Sequence, residues 1–153
     1  MKQVTQSYRT GKLQVLEVPT PPPKPGYVLV CTERSLVSVG TERYILELAR
    51  KSLLGKAIAR PDLVRQLIAK AQTEGIGEAW RQAMSRLDTP IPLGYSSSGV
   101  VVAVGSGVEG IAPGDRAACA GVGYAGHTQI ASVPINLCVK VPDGVDADSA
   151  AFV

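Results

Sequence analysis

The spacing of apolar positions changes character twice along the chain. Residues 1 to 41 read as strands: in "KLQVLEVP", Leu13, Val15 and Leu16 to Val18 give a short alternating run. "YVLVCTERSLVSVG" follows, rich in β-branched residues and closed by Gly40. Between them "TPPPKPG" forms a stiff, polyproline-like connector. A ligand for a proline-binding domain is the other reading of that stretch, but a strand pattern begins directly after Gly26.

Residues 42 to 88 take a helical period instead. In "IGEAWRQAMSRL", Ile76, Ala79, Trp80, Ala83, Met84 and Leu87 make one apolar stripe, predicting a helix with Trp80 central and buried. In "RPDLVRQLIAKA", Pro61 and Asp62 suit a first turn, and Leu63, Val64, Leu67, Ile68 and Ala71 share a face. "YILELARKSLL" offers a third stripe through Ile45, Leu48 and Ala49, and Gly55 and Gly75 punctuate the three. Arg50, Lys51, Arg65, Lys70, Arg81 and Arg86 fall on the opposite faces. Such faces can lie on a membrane, but a solvated surface over a buried stripe is the simpler expectation.

From residue 89 the strand period returns in "SGVVVAVG", "RAACAGV", "HTQIASVP" and "NLCVKVP", separated by glycine and proline turns. Short strands at this spacing predict a mainly β fold, an antiparallel barrel or sandwich carrying a helical insertion.

Composition narrows the functional classes. With 153 residues, 45% apolar and 19% charged, the chain suits one globular domain that buries enough surface to fold without a disulfide or metal. A net charge of +3 with no dense basic run excludes a nucleic-acid partner. No signal-peptide core and no apolar run of membrane-spanning length are present, which predicts a cytoplasmic protein without a membrane partner. Cys31, Cys119 and Cys138 have no CxxC spacing and read as reduced thiols acting as small hydrophobes.

"GSGVEG" (105–110) matches the dinucleotide-binding pattern GxGxxG, which works only where a helix follows and offers its N-terminus to the pyrophosphate. Here "IAPGD" follows, and Pro113 and Gly114 stop a helix at once. A turn between strands is predicted.

The order of "PKPGYVLV", "VGTER", "PLGYSSSGVVVAVGSGV", "PGDRAAC", "AGHTQIASVPINLCVKVPDGV" and "DADSAAFV" resembles the N-terminal, GroES-like half of the medium-chain dehydrogenase/reductases. The resemblance covers nearly everything outside the helical stretch. It implies one GroES-like domain over residues 1–153, a partly open β-barrel with a helical insert at about 43–88. A Rossmann half following it would bind NAD or NADP. It also implies an oxidoreductase acting on a small-molecule substrate, a carbonyl, alcohol or activated alkene, with a homo-oligomer left open. "SLVSVGTER" with such an insert further resembles bacteriochlorophyllide dehydrogenase-like proteins and bacterial bi-domain oxidoreductases, which makes a sugar derivative a candidate substrate.

The departures from that family set the candidate site. Zinc members read Cys-Gly-Thr-Asp where this chain has Val39, Gly40, Thr41 and Glu42, and Gly-His-Glu where it has Gly94, Tyr95 and Ser96. The resemblance therefore implies a zinc-independent branch. Tyr95 stands at a metal-ligand position, where a phenol could donate a proton to a carbonyl oxygen or to carbon; a packed aromatic is the competing reading. Thr41 matches the hydroxyl that binds substrate oxygen, and Glu42 a carboxylate that orients its neighbours. Ser96 is a candidate substrate contact beside a purely local role, and His127 is a candidate rim residue. A non-catalytic binding or oligomerisation module is the alternative function.

Overall fold

A computed structural model describes residues 1–59 and 61–152. The chain is mainly β with a helical insertion, as the periodicity predicts, and divides into two compact units. The first comprises Met1–Thr5, Gln14–Ser38 and Pro92–Val153; the second comprises Gln6–Leu13 and Val39–Ile91.

In the sheet-bearing unit, strands β3 (Tyr27–Ser35), β5 (Ser96–Val104), β6 (Arg116–Ala120), β7 (Ile130–Pro134) and β8 (Cys138–Lys140) form a five-stranded sheet in the order β7-β3-β5-β6-β8. Every neighbouring pair is antiparallel. The β3–β5 register shifts twice, between Leu29 and Val30 and between Thr32 and Arg34. Irregularities of this kind bend a strand and curl its sheet. The concave core collects small side chains, among them Val28, Val30, Val101, Ala117, Cys119, Ala131 and Val133. A three-stranded sheet, β2-β1-β4, is built from β1 (Lys2–Gln6), β2 (Leu13–Glu17) and β4 (Ile91–Pro92). β1 reaches the segment before β7 through Val4 N–H to His127 O (2.9 Å) and Gln129 N–H to Lys2 O (3.0 Å).

The alternation in β2 has the opposite outcome from the usual one. Leu13 is 58% and Val15 61% exposed, because this short strand lies at one edge of the small sheet. The "GSGVEG" stretch is a turn, as predicted: Gly107 and Gly110 both have φ of 78°, a region glycine enters without steric cost.

Among the described residues the other unit holds four helices where three were expected: α1 (Val39–Arg50), α2 (Leu53–Ala59), α3 (Pro61–Glu74) and α4 (Ile76–Asp88). The helical stretch starts at Val39, earlier than the expected residue 43. The side chains of Ile45, Leu48 and Ala49, the stripe expected on α1, and of Arg50 and Arg86 lie outside the described residues. α3 and α4 pack as a hairpin joined at Gly75, and their stripes meet only in part. Ala79 is buried, whereas Trp80 is 53% and Ile76 79% exposed, and α3 has no fully buried residue. The expectation of a buried Trp80 is therefore corrected. Trp80, Met84, Leu87, Leu63 and Leu67 instead line an apolar cleft of about 520 Å³. Lys70 also lines it, its Nζ donating to Gln82 Oε1 (2.6 Å), rather than standing on a solvated back face. Among the described residues no helix is long and apolar enough to cross a membrane.

Candidate functional site

Three of the five predicted site residues, Tyr95, Ser96 and His127, belong to the sheet-bearing unit, where short backbone bonds tie their segments together. His127 N–H donates to Leu93 O (2.8 Å), Gly121 N–H to Tyr95 O (2.7 Å) and Leu36 N–H to Ser96 O (3.0 Å). The segment before β5, the loop after β6 and the end of β3 thus share one frame. Gly94 makes the crossing feasible. Its φ is 91°, and a Cβ there would stand 2.8 Å from the His127 backbone nitrogen.

Within this frame Tyr95 is half-buried, and its hydroxyl has no hydrogen-bond partner among the described residues. Its main chain is fixed by the Gly121 bond, so the ring is carried on a braced segment. His127 is also half-buried, and its Nδ1 hydrogen-bonds Ser35 Oγ at 2.8 Å. Ser35 has no sequence signal of its own. It reaches His127 because β3 also pairs with β7, and the Thr32 N–H to Gln129 O bond (3.0 Å) carries the segment before β7 along the end of β3.

The three serines of β5 are all buried, but differently committed. Ser96 Oγ donates to Ala151 O (2.6 Å) and Ser98 Oγ to Ala147 O (2.5 Å). Both acceptors belong to the closing turn, α5 (Ala147–Ala150) and the residue after it. Asp146 caps that turn by accepting from Ser149 N–H at 2.6 Å, and this bond holds its carboxyl below the usual range. Ser97 Oγ is buried with no partner among the described residues. Ser96 is 0% exposed and its hydroxyl holds the C-terminal turn, the local backbone role that stood beside a substrate contact.

Thr41 and Glu42 belong to the helical unit, in the first turn of α1. Glu42 is half-buried there, at the end of the helix that favours negative charge. Val39, which opens α1, is 76% exposed.

Among the described residues, neither the zinc of the family's metal-dependent members nor a dinucleotide pyrophosphate finds a fitting site. Zinc needs convergent nitrogen, sulfur or carboxylate ligands. Among the described residues no three His, Cys, Asp or Glu side chains cluster to hold a metal, and the positions where the resemblance places zinc ligands carry valine and tyrosine. A dinucleotide pyrophosphate needs a helix N-terminus after its glycines. The chain after Gly110 instead runs through a turn directly into β6.

The alcohol dehydrogenase GroES-like domain model matches residues 63–143, just over half the chain. No protein in a curated set of sequences matches significantly. Among solved structures, quinone oxidoreductase of Pseudomonas syringae pv. Tomato is similar at 22% identity and TM-score 0.63, over 98% of this chain and 36% of that one. The Escherichia coli quinone oxidoreductase complexed with NADPH aligns at 17% identity and TM-score 0.65, over 100% and 37%. JamJ enoyl reductase, in its apo form, aligns at 19% identity and TM-score 0.63, over 98% and 38%. At these identities the likeness establishes the fold, a GroES-like partial barrel with a helical insertion. The chain spans little more than a third of each of these structures.

Proposed function

Because the chain belongs to the alcohol dehydrogenase GroES-like domain family, we propose that it is the substrate-side domain of an NAD(P)-dependent, zinc-independent oxidoreductase. Its substrate is a small molecule bearing a carbonyl, an alcohol or an activated alkene. The observation that carries this reading is Tyr95: a half-buried phenol on a braced segment, its hydroxyl uncommitted among the described residues, at the position where the resemblance would place a zinc ligand. A nicotinamide held by another part of the full-length protein would supply hydride to the substrate or take it away. Its pyrophosphate is held by residues other than the 105–110 turn.

This chain's own contribution is the proton. The Tyr95 hydroxyl donates to the oxygen or carbon that gains electron density, which lowers the barrier without a metal. Ser35 fixes the ring of His127 on the neighbouring segment and so shapes the rim. Thr41, at the position of the family's substrate-oxygen hydroxyl, is the second residue of the proposal.

The test uses the full-length protein that carries this domain, assayed for NADPH- and NADH-dependent reduction of a quinone and an enone, with and without a strong chelator. Activity that survives chelation and falls by roughly 10²–10⁴-fold in Tyr95→Phe, with the fold intact, is the expected result. Activity abolished by chelation and restored by zinc would overturn the zinc-independent reading. A Tyr95→Phe enzyme within a few-fold of normal turnover would reduce Tyr95 to a packing residue and move the assignment to Thr41.

A further inference from the structure

Cys119 and Cys138 are separated by eighteen intervening residues, and no sequence motif joins them. The sheet joins them instead. β6 and β8 run antiparallel with Cys119 directly opposite Cys138, and their sulfurs stand 3.7 Å apart, Cys119 Sγ donating to Cys138 Sγ.

The register decides whether that proximity can become a bond. Val141 N–H donates to Arg116 O (2.9 Å), which makes Arg116/Val141 a hydrogen-bonded pair. Counting along the ladder, Ala117/Lys140 is non-hydrogen-bonded, Ala118/Val139 hydrogen-bonded, and Cys119/Cys138 non-hydrogen-bonded. The Cys138 N–H agrees, since it turns back to Ile135 O rather than crossing to β6. Facing residues at such a site have Cα atoms about 4.5 Å apart and side chains at closest approach. That separation lies within the roughly 4.4–6.8 Å that a disulfide spans, at its short end. Side-chain rotation with a small approach of the two strands then closes the 3.7 Å between the sulfurs to a bond of about 2.05 Å.

We propose that Cys119 and Cys138 form a redox-active dithiol, oxidised by hydroperoxides to a disulfide that staples the edge strand β8 to β6. The two thiols have unequal roles. Cys119 is fully buried in the core, while Cys138 is half-buried on the edge strand β8 and is the less covered of the two residues. The hydrogen bond from Cys119 holds the Cys138 thiol below its ordinary value and, with burial, pushes Cys119 up.

In the first step the Cys138 thiolate attacks one peroxide oxygen and the O–O bond breaks. Cys138 becomes a sulfenic acid, and with one proton the departing oxygen leaves as water or, from an organic hydroperoxide, as an alcohol. Cys119 sulfur then attacks Cys138 sulfur, the S–O bond breaks, and the departing hydroxide takes the Cys119 proton to leave as water. Two thiols lose two hydrogens and one peroxide is reduced. A thiol reductant reverses the change. The staple acts on the segment after β8, which leads to the C-terminal turn already held by Ser96 and Ser98.

Reduced, purified protein treated with graded hydrogen peroxide, then alkylated under denaturing conditions and mapped by mass spectrometry, tests the proposal. A peptide pair linked through Cys119 and Cys138 should appear before the exposed Cys31 is oxidised, and dithiothreitol should abolish it. Cys119→Ser should leave Cys138 as a sulfenic acid that a cyclic 1,3-dione traps, and Cys138→Ser should leave Cys119 reduced. The proposal is overturned if Cys119 and Cys138 remain fully alkylatable at peroxide levels that oxidise Cys31. Advance of Cys138 to sulfinic acid with Cys119 still free would overturn it as well. The unsubstituted protein alone decides between these outcomes.

Discussion

Ser96 and Ser97 are adjacent, both buried and chemically identical, and their replacement by alanine should move stability in opposite directions. Ser96 Oγ holds Ala151 O at 2.6 Å, and both Ser96 and Ala151 are almost wholly removed from solvent. Ser96→Ala loses that bond and leaves a buried carbonyl short of a partner, at a cost of about 1–3 kcal/mol. For a domain of this length each kcal/mol moves Tm by roughly 2–4 °C, so a fall of about 2–12 °C is expected. Ser97 Oγ has already given up water and has no partner among the described residues. Its removal should be neutral or stabilising by up to about 1 kcal/mol. Urea denaturation followed by circular dichroism checks both, with the slope m expected to stay constant while the midpoints diverge. An unchanged midpoint for Ser96→Ala, accompanied by weakened ligand binding, would refute the reasoning and return Ser96 to the substrate site. Equal destabilisation by the two variants would show that Ser97 has a partner after all.

Trp80→Ala should cost only about 1–2 kcal/mol, because just over half of the side chain is already exposed. A loss of 3 kcal/mol or more in the denaturation midpoint would mean that the tryptophan is covered in solution. Gly94→Ala should cost about 2–4 kcal/mol, since it combines a positive φ with a Cβ pressed on the His127 backbone; a midpoint within 0.5 kcal/mol of the parent would show the crossing to be loose. Asp146 has a folded pKa held below its unfolded value, chiefly by the Ser149 backbone N–H. Its contribution is fully present above the unfolded value, about 3.9, and is lost as pH falls through the lowered folded value. Asp146→Asn should therefore flatten stability against pH in that acid window, and an unchanged acid transition would deny the cap its role.

The parts of the fold legible in the sequence are those set by local chemistry. Pro61 opens α3, Gly107 and Gly110 turn the chain between strands, and the β-branched run of β3 makes an interior strand of the large sheet. Where the reading failed, the deciding contact is distant. The strand read from the alternation of Leu13 and Val15 is present as β2, but which of its faces is covered depends on distant chain, and both residues are exposed at the edge of the small sheet. Trp80 has the right spacing for a core stripe, yet spacing specifies only a shared face and not the depth to which a partner covers it. The extra helix α2 was hidden because Gly55, read as punctuation, is accommodated inside it.

The same distinction governs the candidate site and shows why register matters more than motif here. Ser96, Ser97 and Ser98 are one run in the sequence, but only the position of a turn some fifty residues later separates the two bonded hydroxyls from the unbonded one. Ser35 reaches His127 through the pairing of β3 with β7. Cys119 meets Cys138 because β6 and β8 are aligned as they are; since side chains alternate with period two, a slip by one residue would turn one thiol to the opposite face of the sheet. Composition and spacing read the three cysteines as inert fillers, and for Cys31 the structure adds no partner among the described residues. For the other two, antiparallel pairing converts filler into a juxtaposed dithiol. The informative chemistry of this chain therefore lies in pairs made by the sheet, and sequence reasoning reaches them only once the register is known.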